Sequence, residues 1–317
     1  VGKMKENKIV YNLDYNDYSK RAIKNWEETG YKYHYGDLNS LTKFSKKNKV
    51  KILIVRLSMY VDKKLLDLLP NVEFLLTATT GLNHINTNDL FLRKIKLISL
   101  RGEEEFLKTI SSTAEFTWGL LLSLIRKITI SSNDVMMGNW DRESFKGFDL
   151  KGKNIGIVGL GRIGSMISKY ALAFGMNVRY CDPNIQDDSI ESCSLDELAK
   201  KSDIITIHVH SDKQNINLIN SRIIDLMRKG SYLVNTSRGE IWDEHYVYKN
   251  IINNKLAGIA TDVIYDEQRN LEKSILWKNR NHPKILVTPH LGGASFDAMW
   301  RCELKVQEKF FENVNMC

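Results

Sequence analysis

The chain has 317 residues, 43% hydrophobic and 26% charged, with 46 Lys and Arg against 38 Asp and Glu for a formal net charge of +8. That length suggests two domains, each able to bury a core, and no apolar run approaches the ~18–20 residues of a membrane span. The excess positive charge is scattered in short, interrupted clusters such as Lys46, Lys47 and Lys49, which reads as solvated surface, so no nucleic-acid partner and no membrane is expected.

Residues 1–8 are basic and polar and do not read as a signal peptide. Residues 49–80 read as strand, helix, strand: VKILIV, then leucines 65, 66, 68 and 69 between positions 62 and 69, then EFLLTAT. A further apolar run covers residues 95–100. Uniformly apolar strands alternating with helices indicate a parallel sheet covered on both faces. No strand end in this half carries a glycine turn for phosphate, so it is a separate α/β unit. Residues 111–127 form the longest helical pattern, with Phe116, Leu120, Leu121, Leu124 and Ile128 on one face and a capping box of Ser112 and Glu115. Residues 133–151, including Trp140, show no clear period and read as a loop or an arm that packs on another subunit.

The stretch IGIVGLGRIG at residues 155–164 organises the second half. An apolar run ends in Gly159, Gly161 and Gly164 at G-x-G-x-x-G spacing, and Ile163, Met166, Ile167, Tyr170, Ala171 and Phe174 then recur with helical period. The order strand, tight turn, helix is that of a dinucleotide site, with pyrophosphate on the helix N-terminus. A second apolar run from Val178 ends on Asp182, where a carboxylate can accept from the adenosine ribose hydroxyls and would repel a 2′-phosphate. That selects NAD over NADP. Strands at residues 204–209, 231–235, 257–263 and 285–287 bring the count to six, the number expected of a doubly wound dinucleotide-binding sheet. Cys181, Cys193, Cys302 and Cys317 lack C-x-x-C spacing, which suits reduced thiols in a cytoplasmic protein and no metal.

Ligands of such sheets bind past the strand ends, which here carry His208, then Thr236 and Arg238, then Asp262 and Glu267, then His290, Gly292 and Gly293. One Arg, one Glu and one His on the carboxyl edge beside a nucleotide site suit hydride transfer to a 2-oxo acid. Arg238 would serve the carboxylate and carbonyl oxygen, and His290 would donate the proton, with Glu267 favouring the imidazolium.

The motifs GIVGLGRIG (156–164) with YCDP (180–183), NTSRGEIWDE (235–244), AGIATDVIYDE (257–267) and TPHLGGAS (288–295) resemble the NAD-dependent D-isomer-specific 2-hydroxyacid dehydrogenases, over residues 49–298. The resemblance implies two doubly wound α/β domains, a Rossmann NAD-binding domain (112–291) inserted in a flavodoxin-like substrate domain (1–111 and 292–317), with a cleft between them and a homodimer. It implies that Arg238, Glu267 and His290 are catalytic and that Asp262 meets the nicotinamide carboxamide. Gly159, Gly161, Arg162, Ile163, Gly164, Asp182, His208, Thr236, Gly292 and Gly293 complete the cofactor set. Backbone N–H groups of Arg56, Leu57 and Ser58 would hold the substrate carboxylate, with Gly81 in a second loop. Among family substrates D-3-phosphoglycerate is the first expectation, with Arg56 meeting the phosphate. Glycerate or glyoxylate, D-lactate, and an NAD(H)-sensing corepressor-like scaffold are the alternatives. Glu267 stands where formate dehydrogenases carry glutamine. Asn83 or Asn86, in place of an aspartate, and His210, in place of a proline, depart from the family pattern, and residues 99–110 are longer and more charged than its usual loop.

Overall fold

A computed structural model describes residues 8–13 and 16–315. Residues 1–7, on which most of the leader reading rests, and Cys317 lie outside the described residues. The chain divides into two α/β units, one of residues up to 109 together with those from 295 onward, the other of residues 110–294.

The first unit is a parallel sheet of β1 (Ile9–Asn12), β2 (Lys32–Tyr35), β3 (Val50–Val55), β4 (Phe74–Thr77) and β5 (Lys96–Ile98) in the order 2-1-3-4-5, the flavodoxin-like order. Strand β3 is buried except at Lys51 because helices cover both faces of its β-branched and leucine side chains. The helix Lys63–Asp67 starts where Asp62 accepts from the Leu65 N–H at 3.1 Å. The helix Phe296–Asn315 completes this unit. Trp26 is fully buried against Phe310 and Phe311, with ring centroids 5.3 and 5.1 Å apart, and Gln307 donates to the Ala22 carbonyl at 2.8 Å. At 20 residues this helix is longer than Ser112–Ile125, which the sequence pattern had made the longest. The same helix grips the charged segment that follows β5. Glu103 pairs with Lys309 at 3.0 Å and Lys305 at 3.5 Å, while Lys309 donates to the Arg101 carbonyl at 2.6 Å.

The second unit is a parallel sheet of β6 (Asn154–Val158), β7 (Asn177–Cys181), β8 (Glu191–Ser192), β9 (Ile204–Ile207), β10 (Ser231–Asn235), β11 (Leu256–Thr261) and β12 (Ile285–Val287), ordered 12-11-10-9-6-7-8. The six expected strands are present, and the two-residue β8 adds a seventh. Cores lie on both faces. One centres on Ile205, Ile207, Leu233 and Ile259, and the other on Ile155, Ile157, Val234 and Trp118. The helix Ser112–Ile125 is capped by Ser111 without a side-chain bond to backbone; the Ser111 hydroxyl instead donates to Glu115 at 2.5 Å. The expected Ser112–Glu115 box is therefore not formed; a side-chain bond from Ser111 to Glu115 stands in its place. The region read as aperiodic opens with the end of a helix, Ile128–Met136, followed by an irregular stretch in which Trp140 is 89% exposed.

The order of strands reverses between β6 and β9, which puts a crevice at the carboxyl ends of these strands. Among the described residues no helix is long and apolar enough to cross a membrane, no cluster of three metal-ligating side chains occurs, and Cys181, Cys193 and Cys302 are free thiols.

Candidate active site

The glycine turn sits at the end of β6. Gly159 has φ +89, and a Cβ there would come within 2.6 Å of the His208 carbonyl oxygen, since β9 lies directly beneath. A Cβ on Gly164 would lie 2.0 Å from the Gly159 oxygen, so helix and turn touch backbone to backbone. A Cβ on Gly161 would meet nothing within 4 Å, so this residue faces open space. Gly161 also caps the helix Arg162–Ala173 without any side-chain bond. No side chain therefore caps the start of this helix, whose positive end would favour an anion. Asp182, past β7, accepts from the Leu160 N–H at 2.8 Å and from Asn184 and Ile185 at 2.8 and 3.0 Å. The turn and the Asp182 carboxylate are thus built as one piece. These features fit a dinucleotide pyrophosphate with its ribose.

Past β10 the loop is wound tightly. The Asn235 side chain accepts from the Ser237 N–H and donates to the Arg238 carbonyl, both at 2.9 Å, and the Ser237 hydroxyl donates to the Ile207 carbonyl at 2.7 Å. Thr236 meets the Thr117 hydroxyl at 2.8 Å. Gly239 follows because the backbone of Ile264 and Tyr265 lies against it. A Cβ there would sit 2.2 Å from the Ile264 carbonyl carbon. That contact locks the arginine loop to the segment past β11. Burial lowers the Arg238 guanidinium, Glu267 and Glu240 oppose the shift, and the group remains a cation at neutral pH because it starts so far above it.

Asp262 organises the last loop. Its carboxylate accepts from the Thr288 hydroxyl at 2.6 Å and the Leu291 and Gly292 N–H groups at 2.8 and 2.7 Å, while its carbonyl accepts the His290 N–H at 3.0 Å. Burial nevertheless pushes its carboxyl above the usual range, opposed by those bonds and by His290. His290 is thereby held at φ +56, a left-handed conformation that costs roughly 1 kcal/mol or more. Its Nδ1 faces Glu267 Oε1 at 2.5 Å, and Glu267 Oε2 accepts the Ile264 N–H at 3.1 Å. A carboxylate only accepts, so the proton in this contact is carried by Nδ1.

Residues 118–292 match the family model described as the D-isomer specific 2-hydroxyacid dehydrogenase, NAD binding domain. The chain belongs to this family. It is 30% identical over 270 residues to a hydroxypyruvate reductase of Thermotoga maritima, covering 84% of this chain and 86% of that one. It is 31% identical over 265 residues to a D-3-phosphoglycerate dehydrogenase of Bacillus subtilis, covering 82% of this chain and 49% of the relative, so it spans about half that protein's length. In fold it is similar to the apo-structure of D-lactate dehydrogenase from Escherichia coli, with a TM-score of 0.83, 20% identity and 97% of each chain covered.

This dehydrogenase is an NAD-linked oxidoreductase, and the cofactor, when bound, supplies or removes a hydride. Of the residues expected at its site, Gly159, Gly161, Arg162, Ile163, Gly164, Asp182, His208, Thr236, Arg238, Asp262, Glu267, His290, Gly292 and Gly293 lie in the second unit, at strand ends, in the turns past them or, for residues 162–164, in the first turn of a helix. The His208 ring meets the Thr206 hydroxyl at 2.8 Å, and its burial drives the imidazole down to about 3, so it is neutral. Arg56, Leu57, Ser58 and Gly81 lie in the first unit. The N–H groups of Leu57 and Ser58 form no hydrogen bond among the described residues, and Gly81 accepts from the Thr79 hydroxyl at 2.8 Å. Arg56 departs from expectation. Its guanidinium pairs with the buried carboxylate of Glu303, which also accepts the Ser19 N–H at 2.7 Å, so its charge is met inside the protein rather than offered to a phosphate. Two residues were missed by sequence reasoning: Glu303, hidden in the final helix, and Glu244, considered below.

Proposed function

We propose that the chain interconverts a D-2-hydroxy acid and its 2-oxo acid, exchanging hydride with NAD. His290 gives the proton to the forming alkoxide and takes it back in oxidation. Glu267 orients the ring through Nδ1, and Arg238 holds the carboxylate and the carbonyl oxygen. The observation that carries this reading is the 2.5 Å contact of His290 Nδ1 with Glu267 at the carboxyl edge of an NAD-binding sheet. Residues 159–164 would hold the pyrophosphate, Asp182 the ribose, and His208, Thr236, Asp262, Gly292 and Gly293 the nicotinamide end. Leu57 and Ser58 would offer their N–H groups to the substrate carboxylate, with Gly81 beside them. The exposed apolar side chains of Ile128, Val135, Met136, Met137, Trp140 and Phe148 support pairing of two copies.

For the substrate we propose D-3-phosphoglycerate. The Bacillus relative bears that name, and Arg101 supplies a cation in place of Arg56. Arg101 is exposed, makes no ion pair among the described residues, and donates Nε–H to the Thr80 carbonyl at 3.1 Å, beside Gly81. The Thermotoga relative supports hydroxypyruvate as the second reading. A panel of phosphohydroxypyruvate, hydroxypyruvate, glyoxylate and pyruvate with NADH tests both. A charged hydrogen bond to the phosphate contributes about 1.5–3 kcal/mol, so Arg101→Met should lower kcat/KM for phosphohydroxypyruvate by roughly ten- to a hundredfold and spare the uncharged acids. Faster turnover of hydroxypyruvate would favour the second reading, and no turnover of any acid would sink the proposal.

A further inference from the structure

The peptide joining Ile264 to Tyr265 is where the proposed reacting groups are registered to one another. Its carbonyl carbon lies against Gly239, the neighbour of Arg238, and the N–H of Ile264, from the peptide just before it, bonds Glu267. The Tyr265 N–H donates at 2.6 Å to Oε1 of Glu244. Oε2 of the same carboxylate accepts the Ser274 hydroxyl at 2.7 Å, and Ser274 itself accepts the Trp277 N–H at 3.1 Å to cap the helix Ile275–Lys278. Glu244 therefore grips both ends of a loop, residues 265–274, and Glu267 lies on that loop. Glu244 is 5% exposed and is the first residue of the helix Glu244–Ile252, whose positive end favours a carboxylate there. A buried carboxylate with no catalytic contact is costly unless its bonds fix something.

We propose that Glu244 is a positioning residue for the proton-transfer pair. By holding the Tyr265 N–H and the Ser274 hydroxyl it fixes the 264–265 peptide, and through it sets Glu267 against His290 and the Arg238 loop against both. This rests on the reading of Glu267 and His290 as the pair that handles the proton. The charged groups facing that pair are Asp262, which faces His290, and Arg238, which faces Glu267; His245 faces Glu244 itself. None of these changes in the variants below.

The test compares Glu244→Asp, Glu244→Gln and Glu244→Ala with the unmodified enzyme. Aspartate keeps the charge but is a methylene too short to reach Tyr265 and Ser274 together. A displacement of ~1 Å at Glu267 should lower kcat about ten- to a hundredfold, with the NADH Kd within about twofold. As the carboxylate draws away from the imidazole, the low-field Nδ1–H resonance of His290 should move upfield, since the hydrogen bond to Glu267 weakens. Glutamine keeps the length and an acceptor for Tyr265, and should recover most of kcat and of that resonance. If the alanine variant fails to fold, the aspartate and glutamine variants decide the matter. Variants that lose thermal stability yet keep kcat and the His290 resonance per folded molecule would make Glu244 a plain structural carboxylate and overturn the inference. If the unmodified enzyme turns over no 2-oxo acid, the functional reading fails instead. The Nδ1–H resonance of His290 then still reports whether Glu244 sets Glu267 against it, an unchanged resonance counting against the inference.

Discussion

His290 and His208 are two imidazoles past strand ends of one sheet with different surroundings. His290 has a carboxylate at Nδ1 and a backbone forced to φ +56 by Asp262. His208 has only the Thr206 hydroxyl, and burial holds it neutral down to about 3. For His208 the linkage runs one way. An unfolded chain takes up a proton below about pH 6.5, whereas the folded ring refuses it until about pH 3, so stability is full above the first value and is lost as pH falls toward the second. His208→Gln removes that dependence. The stability difference between the unmodified protein and this variant, measured by urea unfolding, should therefore shift against the unmodified protein by up to about 1.4 kcal/mol for each pH unit below 6.5. A difference that stays flat from pH 7 to 4.5 would show that the ring titrates alike in both states.

Among the elements, the loops past β10 and β11 depend on each other through one glycine. Gly239→Ala places a methyl 2.2 Å from the Ile264 carbonyl carbon, and both partners are backbone, so neither can turn aside. The expected cost is about 1–3 kcal/mol of stability, together with a fall in kcat larger than the fall in NADH affinity, measured by denaturation and by fluorescence titration. Wild-type kcat in this variant would mean that the loops are set independently. The sequence made much of this region legible. The long apolar strands, the glycine spacing and the Arg, Glu and His past the strand ends all follow from local pattern. Strands β1 and β2 did not, because IVYN is only four residues and KYHY is half-exposed, with no alternation to reveal it. The two residues of β8 carry no pattern at all. Glu244 had no local signal of a role, and only its contact with Tyr265, 21 residues away, reveals one. Arg56 and Glu303 are separated by most of the chain, so their pairing had no local signal.

For the whole molecule, the second unit leaves an unusual amount of apolar surface in water along 128–148, with Met136 83% and Trp140 89% exposed. Exposed apolar side chains gathered in one segment are often covered by a partner, and the proposed partner is a second copy. Light scattering after gel filtration should give twice the chain mass of 36.6 kDa, and Trp140→Asp should shift the protein toward the single chain. A monomer in the unmodified protein would refute the pairing.

The central claim is that hydride passes between NAD and the carbonyl carbon of a 2-oxo acid while His290 supplies the proton. The most direct measurement follows deuterium from NADH labelled at C4 on the transferring face into the product of phosphohydroxypyruvate or hydroxypyruvate reduction. The account predicts a D-2-hydroxy acid carrying deuterium at C2, with His290→Ala slowing its formation by about 10²–10⁴-fold, the range for a positioned acid, while still binding NADH. Product without deuterium at C2, product of the L configuration, or an undiminished rate in the His290 variant would contradict it.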